Sequence, residues 1–287
     1  MYLSRIRLKQ DMQATQLAQL IKDRKNYGLH HLFWGVFKTN PDKKRDFLFR
    51  EEMAKEQNLG GRRLKADPVY YLLSMEQPEN EHAFFDIECK EYNPKLAMGD
   101  ILSFKVRVNP VVKRNNKRHD IIMNAQYNWL DTQLKQIGKD TKGTKTDKKK
   151  RLLNYAQDKQ ITVWQEQIKQ GCFSDKLAQK LGRNELLEWA LKTEVEQTVL
   201  LWWQAQAEKN GFELVHNKHT NTPVFQSSAY QWNPLPEKNR KAGYSSLDLT
   251  GKIAVNNCDL FYNFLKNGVG KSKAFGCGLI MIQRCYM

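Results

Sequence analysis

The chain has 287 residues, 40% of them hydrophobic and 11% aromatic, which is enough to bury a core and excludes a disordered protein. Lys and Arg number 47 against 31 Asp and Glu, a balance of +16 that favours a polyanion partner, nucleic acid first. The apolar runs are too short to cross a bilayer and MYLSRIRLKQ is no signal peptide, so the sequence predicts a cytoplasmic protein without membrane contact.

In chain order, YLSRIRL (2–8) alternates apolar and polar residues and predicts a strand. Residues 13–37 predict helix, as one piece or as two that meet near Gly28. DFLFR (46–50), VYYLLSM (69–75), AFFDIEC (83–89) and ILSFKVRVNP (101–110) predict strands, the last ended by Asn109-Pro110. Residues 125–209 are rich in helix formers and carry tryptophans at 129, 164, 189, 202 and 203. Within them KDTKGTKTDKKKR (139–151) has seven basic and two acidic residues and no apolar period, which predicts an exposed, solvated loop. Strands resume at FELVHN (212–217), PVFQSSAYQW (223–232) and YSSLDLTGKIAV (244–255). DLFYNFLKNG (259–268) predicts a helix closed by glycine, and GLIMIQR (278–284) a last strand. The order is β-α-β-β at both ends with helices between, a ferredoxin-like pattern.

Five cysteines, Cys89, Cys172, Cys258, Cys277 and Cys285, show no CxxC spacing, and no HExxH or paired-Asp motif occurs. No metal and no cofactor are expected. His216 and His219 form a lone HxxH that reads as a strand end.

Between the last helix and strand lies GVGKSKAFGCG (268–278), four glycines interleaved with Lys271 and Lys273. A P-loop needs glycine five residues before Gly270, where Leu265 stands, and must open a long helix. The dinucleotide fingerprint fails at Lys273, where its third glycine belongs. Amides of such a loop can still line an anion site. A tight connection needing positive φ accounts for one or two of the glycines and leaves four with two lysines unexplained.

In NYGLHHLFWGVF (26–37), Leu29, Phe33, Val36 and Phe37 form one helical stripe. Tyr27 and His30 lie three apart and share a face, so a phenol and an imidazole can do acid–base chemistry without a metal. His31 is the rival, and a half-buried helix would hold both histidines with no chemistry at all.

Together MYLSRI, the Tyr27-Gly28-Leu29-His30 helix, RDFLFR (45–50), FKVRVNPV (104–111) and GVGKSKAFGCGLI resemble the CRISPR repeat-processing endoribonucleases of type I-E Cascade systems. The resemblance spans roughly the first 120 and last 80 residues. The family pattern has one helix, and no lysine-rich loop, where this chain carries residues 125–195. The resemblance implies an α+β fold of two tandem ferredoxin-like (RRM-like) domains, 1–115 and 116–287, with a helical insertion at about 125–195 in the second. It implies cleavage of precursor CRISPR RNA at the repeat stem-loop by 2′-hydroxyl attack, leaving a 2′,3′-cyclic phosphate and a 5′-hydroxyl. Partners would be the repeat stem-loop RNA and Cascade-type effector subunits. By the same match His30 is the general acid and Tyr27 orients the reacting group. Gly268, Gly270, Lys271, Ser272, Lys273, Gly276 and Gly278 hold the RNA backbone, with Arg107 and Lys113 beside the Asn-Pro turn; a structural role explains the strand arginine Arg107 equally well. LPEKNRKAGY (235–244) looks like the basic hairpin that grips the stem, through Lys238, Arg240 and Lys241; a solvated turn explains it equally well. A solvated loop explains Lys43, Lys44 and Arg45 better than an RNA contact. The competing function is a non-catalytic stem-loop RNA-binding subunit. The RRM aromatic motif is missing, with KAFGCGL its nearest approach.

Overall fold

The computed structural model describes residues 1–10, 29, 30, 32–37, 47–53, 68–171, 181–235 and 242–285. Two compact units result: residues 1–109 with 207–287, and residues 110–206.

The first unit holds two antiparallel sheets. In the first, β1 (Tyr2–Leu8), β2 (Phe47–Met53), β3 (Pro68–Ser74) and β4 (Phe85–Glu91) take the order β2-β3-β1-β4. Strand β3 is inserted between β1 and β2, the split βαβ of a ferredoxin-like half. Alternation decides the faces. Ile6, Phe47, Phe49, Tyr70, Leu72 and Phe85 form one core with Leu32, Phe33 and Val36 of the helical stretch that includes residues 29, 30 and 32–34. The intervening Leu48 and Leu73 face the other way and pack with Leu279.

The second sheet contains β5 (Ile101–Val108), β8 (Phe212–Leu214), β9 (Phe225–Pro234), β10 (Gly243–Val255) and β11 (Ile280–Arg284). Its order is β11-β5-β10-β8, with β9 also on β10. The chain path repeats the first half: β5, a crossover, β8, β10, then helix α5 (Cys258–Asn267) and β11. The fold is therefore α+β with two ferredoxin-like halves, and the helical insertion lies in the crossover of the second. Because β5 pairs with β10 and β11, a division drawn by sheets falls between β4 and β5. Residues 115 and 116 instead form the tip of a hairpin of β6 (Val111–Arg114) and β7 (Lys117–Asp120). Both asparagines there take positive φ, 49° and 58°, the backbone that a two-residue hairpin turn demands.

In the second unit β6 and β7 lead into α1 (Ile121–Gln136), α2 (Lys145–Tyr155) and α3 (Asp158–Gln170), followed by the long α4 (Arg183–Lys209). Trp129, Leu130, Leu134, Leu152, Trp164, Ile168, Leu187 and Leu191 form its core. The lysine-rich stretch corrects the sequence expectation. Its second half is helix α2, started by a reciprocal capping box between Thr144 and Asp147. Its lysines are mostly tied down. Lys148 is buried and pairs with Asp131, Lys149 pairs with Glu188 at 2.6 Å, and Lys145 donates to Gln126 at 3.0 Å. No helix among the described residues is long and apolar enough to cross a membrane.

Candidate functional site

His30 is fixed by aromatic contacts. Its ring stacks on Phe47 of β2 with centroids 5.2 Å apart, and meets Trp34 edge-on at 6.1 Å. The residue is half-buried and its Nε2 atom is out of solvent. Tyr27, His31, Lys238, Arg240 and Lys241, with Lys43, Lys44 and Arg45, lie outside the described residues.

Strand β2, at the edge of its sheet, also receives the glycine loop. A Cβ on Gly268 would stand 2.6 Å from Leu48 Cδ1 and 2.7 Å from the carbonyl oxygen of Gly278, so only glycine fits. Gly276 lies against Phe49, its would-be Cβ 3.3 Å from the ring. Three consecutive residues, Phe47, Leu48 and Phe49, thus carry the imidazole and the loop.

The loop is anchored at both ends. The Val269 amide donates to the Gly278 carbonyl at 3.0 Å, and the Gly278 amide to the Arg107 carbonyl at 2.7 Å. Among the described residues the amides of Gly270, Lys271 and Ser272 have no backbone acceptor, and Gly270 and Lys271 are exposed. These amides, with the Lys271 ammonium, form the part of the loop able to receive an anion. Lys273 is turned to a structural role. Its Nζ donates to the Asn267 carbonyl at 2.5 Å, capping the negative end of α5 just where an anion would be repelled. One sequence inference is overturned. Gly268, Gly270, Gly276 and Gly278 all have positive φ, as does Ser272. Backbone geometry therefore accounts for all four glycines, and their number says nothing about a ligand.

Beneath the loop runs a charge network that the sequence did not reveal. Asp248 on β10 accepts from Arg107 Nε at 2.9 Å and Nη2 at 3.0 Å, and lies 3.5 Å from Arg50 Nη2. Arg50 is 1% exposed and also pairs with Glu52, which in turn takes Lys105. Burial alone would push the Glu52 carboxyl up, but hydrogen bonds from Lys105 and Arg50 outweigh it and hold the group below its ordinary value. The hydrogen bond to Asp248 holds the Arg107 guanidinium above its own ordinary value. Arg107 thus joins strands while remaining partly exposed. Burial pushes the Cys277 thiol up to about 12, so it is an inert thiol at neutral pH. Burial likewise pushes the Tyr244 phenol up to about 12. The one legible hint of the network is that Arg50 and Glu52 sit two apart on β2 and so share a face.

Lys113 is exposed on the β6–β7 hairpin and belongs to the second unit. The ends of the basic loop are held in a hairpin. Pro234 pairs with Gly243, and the Leu235 amide donates to the Ala242 carbonyl at 2.8 Å. Among the described residues no three His, Cys, Asp or Glu side chains group to hold a metal ion.

A family model described as "CRISPR associated protein" matches residues 1–284. Among solved structures, Cse3 of Thermus thermophilus bound to an RNA representing a pre-cleavage complex is similar, with 16% identity, a TM-score of 0.57 and 98% of each chain covered. A CRISPR endoribonuclease Cse3 bound to a 19-nucleotide RNA gives 15% identity, a TM-score of 0.57 and the same coverage. Cas6e from Escherichia coli K-12 gives 15% identity and a TM-score of 0.50, again over 98% of each chain. No curated protein matches. At these identities the likeness to the solved structures is one of fold, and it covers both ferredoxin-like halves. The family model spans nearly every residue, from β1 through the glycine loop to β11, and the chain belongs to the CRISPR-associated protein family that it describes.

Proposed function

We propose that this protein is an endoribonuclease that cleaves precursor CRISPR RNA at repeat stem-loops without a metal ion. The observation that carries the reading is that His30 and the glycine loop both pack on one short strand, β2. A proton donor and an anion-receiving loop are the two parts that an in-line RNA transesterification requires. The similar Cse3 structures, an RNA-bound pre-cleavage complex and a CRISPR endoribonuclease with a 19-nucleotide RNA, support the same reading.

In the proposed reaction the 2′-hydroxyl loses its proton to solvent water and the 2′-oxygen attacks the adjacent phosphorus. The bond from phosphorus to the 5′-oxygen breaks, and a 2′,3′-cyclic phosphate and a 5′-hydroxyl result. His30, as imidazolium, gives its proton to the leaving 5′-oxygen, help worth about 10²- to 10⁴-fold in rate. A nearby phosphate favours that charged form. Tyr27 orients the phosphate, since a neutral phenol is a poor base. The amides at 270–272 and Lys271 hold the backbone and offset the charge that grows on it. Because the nucleophile is the RNA's own hydroxyl, no water has to be activated by a metal. The basic hairpin with Lys238, Arg240 and Lys241 grips the stem, with Arg107 and Lys113 as further contacts. The product stays bound, as part of a Cascade-type effector complex.

The test is cleavage of a cognate stem-loop in excess chelator, with the product ends identified. Activity with a cyclic phosphate is expected. A strict divalent requirement, or continued cleavage of RNA lacking the scissile 2′-hydroxyl, sinks the mechanism. His30→Ala should lower the rate about 10²- to 10⁴-fold while affinity stays within a few-fold. One observation favours a second reading, a non-catalytic stem-loop-binding subunit: His30 Nε2 is shielded from solvent, so that nitrogen meets RNA only if the ring turns. Under that reading wild-type protein binds the stem-loop and leaves it uncut.

A further inference from the structure

Phe275 ends the short 3₁₀ turn Lys273–Phe275 within the glycine loop and is 38% exposed. One side of its ring is occupied. Tyr244 of β10 stacks on it with centroids 4.7 Å apart and planes tilted by only 22°. The Tyr244 hydroxyl also donates to the Phe275 carbonyl at 3.4 Å. The backbone that carries the ring is held on every side. Phe275 N–H donates to Ser272 O at 2.9 Å, Gly276 N–H to Lys273 O at 3.3 Å, and Gly276 rests on Phe49 of β2. Phe275 is thus a rigid aromatic ring, backed by a second ring and partly open to solvent. Leucine or methionine would cover Tyr244 equally well if packing were the only demand.

The position of the ring gives it a purpose. It lies three residues past Ser272, the last of the three amides free to receive an anion, and four past the exposed Lys271. Tyr244 stands opposite Asn233 at the loop end of the β9–β10 hairpin, next to the basic loop. A nucleotide whose phosphate sits on the amides therefore has its base within reach of an aromatic face. Trp232 makes a useful contrast. It is more exposed, at 57%, but it pairs with Ser245, so it lies on the opposite face of the hairpin from Tyr244, and its ring covers Gly243, whose would-be Cβ lies 2.4 Å away. Its exposure follows from shielding a strand glycine.

We propose that Phe275, backed by Tyr244, is a stacking platform for an unpaired nucleobase beside the phosphate held by the glycine loop. The assignment rests on the RNA-processing reading above. Stacking tolerates any base, because every base has a π-face, and it is lost when the ring is replaced by an aliphatic side chain of similar bulk. The platform would hold the nucleotide in line for attack and add affinity without reading the stem.

The experiment uses the full chain and a stem-loop RNA carrying 2-aminopurine, moved one position at a time through the unpaired nucleotides flanking the stem. Fluorescence quenching on binding is expected at one position with wild-type protein. It should be lost with Phe275→Leu and kept with Phe275→Trp. Phe275→Leu should also weaken binding by about five- to one-hundred-fold, and that penalty should vanish on RNA made abasic at the same position. Leucine retains an apolar contact with Tyr244, so an unchanged melting temperature separates loss of stacking from loss of folding. Phe275→Leu that quenches and binds like wild type overturns the platform and leaves the RNA-processing reading standing. Wild-type protein that binds no stem-loop RNA overturns both.

Discussion

Asp248 serves two arginines at once. It accepts two hydrogen bonds from Arg107 and balances the charge of Arg50, whose guanidinium is 1% exposed. A buried cation is tolerated only while it is paired, and removing one partner of such a pair costs about 3–5 kcal/mol. Asp248→Asn keeps the size of the side chain but removes the charge and one of the two acceptor oxygens that Arg107 uses. It should destabilise the protein by about 3 kcal/mol in urea unfolding, at the low end of that range because Glu52 still faces Arg50. A loss below about 1 kcal/mol would mean that Arg50 is solvated and the network is ornamental. The same residues show why this part of the site could not be read in advance. Arg50 and Arg107 both occur in stretches that resemble the family, yet Asp248 lies far away in sequence and nothing local marks it as their partner. Pairing across sheets is a tertiary fact. By contrast, the His30 helix and the glycine loop are each visible as local patterns, and both pack on β2.

At the level of elements, the strands were legible because alternation is a local property, and one misreading is instructive. Residues 139–151 look like a loop because seven of them are basic and none makes an apolar stripe. The helix that begins at Lys145 draws instead on the Thr144–Asp147 capping box and on partners from neighbouring helices. Thr144 and Asp147 stand three apart, the spacing of a capping box, and so start a helix without an apolar stripe. Thr144→Ala removes the side-chain acceptor that holds the Asp147 amide. It should cost about 1 kcal/mol and speed amide exchange across Lys145–Tyr155, with little change elsewhere. Unchanged exchange there would assign the helix start to packing through Leu152, which is fully buried. The turn at Asn115 and Asn116 also rests on local chemistry, since asparagine tolerates the left-handed backbone that both residues adopt better than most side chains.

For the whole molecule the governing quantity is the balance of +16. Part of that charge is committed internally. Lys105, Arg107, Lys148 and Lys149 all have carboxylate partners, and Lys273 caps a helix. Net charge therefore overstates the number of cations available to RNA, and a salt titration measures the remainder. Each phosphate neutralised releases condensed counterions, and log K falls against log salt with a slope of about 0.7–0.9 per contact. Wild-type protein on a stem-loop should show a slope far smaller than its net charge would give. Lys271→Ala should lower that slope by about one contact, because Lys271 is exposed and flanks the open amides. Lys149→Ala should leave the slope unchanged, because its ammonium is held by Glu188. If both variants lower the slope equally, RNA is attracted by the diffuse field of the protein. If only Lys271→Ala does so, the loop touches a phosphate at a defined place, as an enzyme acting on one bond must.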